Sequence, residues 1–435
     1  MRGGTAVTNQ TQGLTLKEKI FNFFTWRNIK ETFFSFFKWR GSIDKYIMRG
    51  PIDLTFFIIM MVLLCVGLVT TFSASYVAAK ANIGSVDTDG DAYYYLKSQL
   101  LYIVVGLVLM YVISKIKLDF VEQAANLAVV LIILLLIYTL INPAIIPGKE
   151  SYRRWVEIII RFQPSEFAKI ILIVFLAASM KKNQKRLAED WKLSVYYILL
   201  VGVFCVLILA ENHLSATILV FAIGMIMIFL GGGKLAVFGV GSLGAGALLL
   251  VAWATGLLQK YMGDRIDMWL KLLFNEQLTA AEKQGDAWQI LQSLYAIGSG
   301  GVFGVGLGQS RQKHLYIPEP QNDFVFSIAC EEYGYIGAII IMVLFMVLVV
   351  RGFLLAINMK DKFSSLLVMG ICFHVGLQAA LNMAVVSGTV PNTGIGLPFF
   401  SAGGSAMVTL LAEMGLVLSA SRGVTKSIKG SGKRL

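Results

Sequence analysis

The chain has 435 residues, of which 57% are hydrophobic and 15% charged, with a mean hydropathy of +0.71. A water-soluble domain runs at about 45–50% apolar and about 25% charged, so these proportions exclude an ordinary soluble enzyme, a disordered chain and a small disulfide-stapled module. The net charge of +12 does not point to nucleic acid: residues 1–50 hold nine Lys/Arg against three acids, and five Lys/Arg with no acid follow Glu413, the pattern of cytoplasmic tails beside an anionic leaflet.

Residues 1–50 form a basic, aromatic N-terminal segment. Seven Phe and two Trp between residues 21 and 39, interleaved with basic residues, predict a helix lying on the inner leaflet, and residues 1–15 read equally well as a plain tail. The segment lacks a hydrophobic run, so no cleavable signal peptide is expected. Ten apolar spans follow, at 54–72, 98–114, 123–141, 164–180, 194–210, 214–230, 235–258, 324–350, 364–387 and 403–421. Most reach the ~20 residues that a ~30 Å hydrocarbon layer requires. The expected fold is therefore all-α, a ten-helix polytopic membrane domain over 51–421, with a basic tail at 422–435.

Orientation follows from Lys/Arg bias. The basic turns 115–119, 180–193 and 351–362 fall on the same side as both tails, which places both termini inside. The large loop between spans 7 and 8, residues 259–323, is then external. Within it, 287–308 is apolar at first, but six glycines crowd Gly298–Gly308. A re-entrant or interfacial piece is expected there, because non-helical backbone at membrane depth must be buried in protein or line a wet cavity. Cys65, Cys205, Cys330 and Cys372 lie far apart in apolar segments and read as small core residues. Neither they nor the three histidines have metal-ligand spacing.

An ionisable residue in or near a span costs about 2.5–3.5 kcal/mol on insertion scales, so each such group needs a reason. Arg153 and Arg154, beside Trp155 in the external loop 142–163, run against the inside bias. They read either as a forked phosphate site or as headgroup anchors. Glu166 and Lys169, three residues apart after Pro164, fall close together on a helix and can pair, as a structural bridge or as part of an outward cavity. Asp323 stands where the external loop meets span 8, either as a helix N-cap or as a carboxylate at the membrane–water boundary poised to accept a proton. Glu331 and Glu332 lie about 12–13 Å deeper and point about 100° apart, so structural pairing inside the bundle is expected of them. Glu211-Asn212-His213 forms a short external turn, and Glu413 sits in the last span, neither with a spacing that names a chemistry. The loop 388–405, rich in Gly, Pro and small polar residues, is a plain connection or a cavity lining. Composition and spacing go no further than a bundle with polar groups gathered at its outer face, suited to an anionic, lipid-linked substrate.

Four blocks carry a resemblance to the SEDS family (shape, elongation, division and sporulation), which includes FtsW, RodA and SpoVE. They are Arg154-Trp155 with Phe162-Gln163-Pro164-Ser165-Glu166-Phe167-Ala168-Lys169; Trp288-Gln289 with Gln292 to Gly301 and Gly304 to Gly308; Pro318-Glu319-Pro320-Gln321-Asn322-Asp323-Phe324 with Glu331-Glu332; and Pro391-Asn392-Thr393-Gly394 with Leu397-Pro398-Phe399. The run Pro318–Asp323 leans toward FtsW or SpoVE. Ala402, Ala406, the Glu211–Ser215 turn and the long aromatic segment 1–50 depart from the family pattern.

The resemblance implies a multi-pass protein of the bacterial cytoplasmic membrane that polymerises peptidoglycan from lipid II, a disaccharide-peptide on undecaprenyl pyrophosphate. It implies Asp323 as the catalytic base, Glu166 and Lys169 as a functional ion pair, and Arg153, Arg154, Gln289 and Ser401 on the substrate. Implied partners are lipid II, membrane lipid, a class B penicillin-binding protein with transpeptidase activity, and divisome or elongasome proteins. No cofactor is fixed; a divalent cation, Mg or Mn, suits the pyrophosphate. A lipid II flippase and a non-catalytic scaffold for the transpeptidase stand as alternatives.

Overall fold

The computed structural model describes residues 50–84, 86–142, 154–157, 161–254, 256, 259–274, 278–279, 282, 285 and 287–431. The expected interfacial helix at 21–39 lies outside them. Three helices open the described chain: α1 (Leu54–Lys80), α2 (Tyr94–Lys115) and α3 (Leu118–Ile141). A small antiparallel hairpin, β1 (Val156–Glu157) and β2 (Arg161–Phe162), follows and qualifies the all-α expectation; its register pairs Val156 with Phe162. Then come α4 (Pro164–Lys182), the short α5 (Gln184–Glu189), α6 (Trp191–Ala210), α7 (Leu214–Leu230) and α8 (Leu235–Ala254). The 259–323 loop contains α9 (Gln259–Leu273) and α10 (Trp288–Ser299), and the chain ends in α11 (Val325–Ile357), α12 (Lys362–Val386) and α13 (Gly404–Ser431).

Seven of these helices are long and apolar enough to cross a membrane by length and composition: α1, α2, α3, α6, α11, α12 and the 404–423 part of α13. The apolar α7 is shorter. The chain is a multi-pass membrane protein. The helices close with their backbone bonds inside each segment, as a hydrocarbon medium demands. α13 packs along α2, α11 along α12, α3 along α4 and α1 along α11. Because lipid is as apolar as leucine, close backbone approach matters more than apolar burial. Gly415 shows it: a Cβ there would lie 2.8 Å from the Met110 carbonyl oxygen of α2. Cys330 and Cys372 are buried and Cys205 partly so, but Cys65 is exposed on the outside of α1, so it is not a core residue.

Span 8 departs from the expected continuous helix. Gly334 sits at φ 70°, ψ −169° and breaks α11. The glycine-rich loop after α10 fills the break. Tyr335 N donates to Gly301 O (2.9 Å), Ile336 N to Val302 O (3.2 Å), Val305 N to Glu331 O (3.0 Å) and Gly306 N to Glu332 O (3.1 Å). The non-helical backbone is thus satisfied inside protein. Gly304, at φ 80°, leaves no room for a side chain, since its Cβ would stand 2.1 Å from Glu332 O.

The two ends of the bundle separate the turns. At one end the basic turns meet: Lys181 bridges Glu122 (2.7 Å) and Asp361 (2.8 Å), and Arg351 pairs with Asp53 (2.5 Å). At the other end the 154–157, 161–163, 211–215, 318–323 and 388–402 segments converge.

Candidate active site

Asp323 ends the external loop. The N-cap reading does not hold: α11 begins at Val325 with Phe324 as its cap and no side-chain capping bond. Asn382 of α12 fixes Asp323 through its backbone, Nδ2 donating to Asp323 O (2.7 Å) and to Ile395 O (2.7 Å). The half-buried carboxylate lies over the 394–396 backbone. Its Oδ2 is 3.5 Å from where a Cβ on Gly394 would sit, and Gly394 is at φ 71°. The loop beneath is tightly tied. Asn392 Oδ1 accepts from Gly394 N (3.1 Å), Ser401 Oγ accepts from Leu397 N (2.6 Å), and Ala402 N donates to Gln321 O (2.8 Å). Phe399 and Phe400 anchor it in the core, Phe399 in the left-handed region at φ 66°, a conformation that costs a non-glycine residue energy. Ser401 therefore shapes this loop with its hydroxyl.

Glu166 and Lys169 do pair, at 2.9 Å, on the first turns of α4, where Pro164 occupies the position that needs no N–H donor. Lys169 is only 2% exposed and Glu166 14%. A buried ammonium needs more than one acceptor, and Lys169 Nζ also reaches Gln378 Oε1 of α12 at 3.4 Å. Gln378 Nε2 donates to Gly396 O (2.9 Å). The ion pair and Asp323 thus meet the same stretch of backbone from two sides, through Gln378 and Asn382, one helical turn apart.

Arg154 donates from Nη2 to the Asn212 carbonyl, which ties the hairpin to the α6–α7 turn; Arg153 lies outside the described residues. Gln289 splints two loops, its Nε2 donating to Pro318 O (3.4 Å) and its Oε1 accepting from Asn392 Nδ2 (3.1 Å). Glu331 and Glu332 are structural, as expected. Glu331 accepts from Ser310 Oγ (2.5 Å) and Arg311 N (2.9 Å). Glu332 accepts from Ser73 Oγ (2.7 Å) and pairs with buried Lys313 (3.0 Å).

Two sets of residues emerge that spacing did not single out. In the α6–α7 turn, Glu211 is fully buried and its carboxylate oxygens have no hydrogen-bond partner among the described residues. Burial pushes its pKa up to about 8, against the pull of the Arg154 charge. His213 is held neutral by burial and by the charges of Arg154 and Lys169, and its Nδ1 lies 3.1 Å from both Gln163 Nε2 and Ser165 Oγ. Ser215 donates to Thr393 O, which joins this turn to the loop under Asp323. The only sequence signal was that this turn departs from the family pattern. The second set lies in α12 and α13. His374 Nε2 is 3.0 Å from Gln378 Oε1, and His374 Nδ1 is 3.0 Å from Glu413 Oε2. Its signal was three polar residues, 374, 378 and 382, at helical spacing in an apolar span. Among the described residues no group of three or more His, Cys, Asp or Glu side chains could hold a metal ion.

The family described as Cell cycle protein, FTSW_RODA_SPOVE, matches residues 53–426. The chain is 33% identical over 372 residues to stage V sporulation protein E of Bacillus subtilis strain 168, covering 85% of this chain and 97% of that one. It is 35% identical over 373 residues to the probable peptidoglycan glycosyltransferase FtsW of Trichlorobacter lovleyi, covering 86% and 93%. In fold it is similar to a chain of a peptidoglycan synthase complex solved for its coordination of polymerization and crosslinking, with a TM-score of 0.67 at 24% identity over 85% of this chain and 98% of that one.

Proposed function

This chain belongs to the FtsW/RodA/SpoVE family of cell cycle proteins, and from that premise we propose that it is a peptidoglycan glycosyltransferase that polymerises lipid II at the outer face of the bacterial cytoplasmic membrane. The ten-span arrangement with both termini inside belongs to this reading. It is supported by the basic turns gathered at one end and the candidate site at the other. Residues 1–50 and 422–435 are then cytoplasmic segments flanking the 51–421 domain.

One observation carries the reading: Asp323 and the Glu166–Lys169 pair converge on the 394–396 backbone at the end of the bundle opposite the basic turns. In the transfer, a carboxylate oxygen of Asp323 takes the proton from the 4-hydroxyl of the acceptor sugar. The acceptor's 4-oxygen, freed of its proton, bonds to the donor's anomeric carbon with inversion, and the bond to undecaprenyl pyrophosphate breaks, the electron pair leaving with the phosphate. Lys169 and Arg154, with Arg153, offset the charge growing on the pyrophosphate. Gln289 and Ser401 order the loops against which the sugars lie. Any Mg or Mn ion would be held mainly by the pyrophosphate itself. The partner on this reading is a class B penicillin-binding protein that crosslinks the growing strand, within a divisome or an elongasome.

The full chain reconstituted in liposomes with lipid II on one leaflet tests the function. Glycan strands should form. Redistribution of lipid II without strand growth would instead establish a flippase, a reading favoured only by the deep Glu413–His374 pair. Absence of both, with and without the transpeptidase, would leave a scaffold.

A further inference from the structure

We infer that His374, Gln378 and Asn382, a polar stripe along α12, position Lys169 and Asp323 relative to each other for the transfer, and that Glu413 holds the proton arrangement on which the stripe depends. The inference rests on the proposed use of Lys169 and Asp323 and adds how they are held.

The residues stand at intervals of four, so they share one face of the helix over about 12 Å. At the outer end, Asn382 binds the Asp323 and Ile395 carbonyls with one amide nitrogen. One turn deeper, Gln378 has its amide orientation decided by Gly396: its nitrogen donates to that carbonyl (2.9 Å), so its oxygen faces Lys169 Nζ (3.4 Å) and His374 Nε2 (3.0 Å). An amide oxygen only accepts, so both neighbours donate. His374 Nε2 therefore carries a proton. Its Nδ1 faces Glu413 Oε2 at 3.0 Å, with both side chains buried. A hydrogen bond between these two atoms takes one further proton. Whether it rests on the imidazole or the carboxyl, the pair has zero net charge and Nε2 remains a donor. That is how a histidine can serve at the midpoint of α12, in a medium that penalises charge.

The stripe fills otherwise apolar space with groups that are costly unless satisfied, and almost every polar atom on it has a partner. Asn382 Oδ1 is the exception, buried with no partner among the described residues. A chain of this kind costs more than leucines would to hold helices together. What it adds is fixed geometry: Lys169 cannot shift toward Glu166 alone, and the 394–396 backbone cannot slide from beneath Asp323. A misplacement of about 1 Å in such a site costs on the order of 100-fold in rate.

The test is a mutant cycle on the full chain in liposomes. Gln378→Met keeps the side-chain length and removes donor and acceptor. It is expected to lower kcat by about 10-fold to 100-fold while KM for lipid II changes much less. In a Lys169→Met background the same change should cost less than about twofold, because its effect runs through the missing ammonium. Glu413→Gln, whose amide can donate to His374 Nδ1, should keep most of the rate, and Glu413→Leu should lose it as His374→Phe does. Single-turnover transfer at saturating lipid II and high enzyme repeats the cycle if steady-state rates fall below detection. Losses that multiply in the double variant, or full activity of Gln378→Met or Glu413→Leu, overturn the positioning role alone. Undiminished polymerisation by Lys169→Met overturns the site reading and this inference together.

Discussion

The two ends of the bundle use the same side chains in opposite ways. At the end of the basic turns, Lys181 reaches Glu122 and Asp361 with all three groups between a quarter and a half exposed, and Arg351 holds Asp53 with the arginine about a third exposed. These are clamps between helix ends, each worth about 0–1 kcal/mol in water's reach. Toward the other end Lys169 is 2% exposed and Lys313 and Glu332 are 5% and 0%, and in the middle of the bundle His374 and Glu413 are 4% and 1%. Removing such charges from water costs several kcal/mol per ion, so the same pairing adds little stability there. The exposed ion pairs thus sit at the basic end, where Arg422 is the buried charge, tied to the Ser114 and Gly50 carbonyls, and the buried pairs lie in the middle of the bundle and toward the proposed site.

Breaking pairs at each end should expose this difference. Glu332→Ala leaves Lys313 charged and buried beside the α11 break, and thermal unfolding in detergent should register a loss of about 3–5 kcal/mol. Gly304→Ala should fall in the same upper range, because both the left-handed backbone and the Glu332 carbonyl oppose a methyl group; a loss below about 1 kcal/mol would mean that the loop is not locked into the break.

Glu211 gives a pH-dependent effect. Its pKa is raised in the folded chain from 4.5 to about 8, so between those values the folded state binds more protons than the unfolded one. Its contribution is therefore fully present below pH 4.5 and is lost as pH rises through about 8, at a slope of up to ~1.4 kcal/mol per pH unit. Glu211→Gln should flatten unfolding free energy against pH in that window and stabilise the chain at pH 8. Lys181→Met, at the other end, should cost no more than about 1 kcal/mol and leave polymerisation intact; a large loss of activity would dissolve the contrast between the ends.

The membrane class was legible because apolar runs of ~20 residues have few soluble explanations, and the Glu166–Lys169 pair because three residues on a helix bring side chains together. Asp323 was placed by its position at a span boundary together with the family motif around it. The break at Gly334 was not legible: one glycine in an apolar run is ordinary in membrane helices, and what fixes its conformation is a loop some thirty residues earlier in the chain. The separation of the 259–323 loop into α9 and α10 was hidden by charges and glycines that read as loop. His374, Gln378 and Asn382 were not singled out, because their meaning depends on Lys169, Glu413 and Gly396 from three other segments. Glu211 was an ordinary acid until burial gave it a pKa near neutrality.

Asp323 provides the most direct measurement. Purified Asp323→Asn, inserted and folded like the parent chain, should polymerise lipid II at least about 100-fold more slowly, the lower bound of what a general base supplies. Glycan strands of normal length, formed at the parent rate by that variant, would contradict the account.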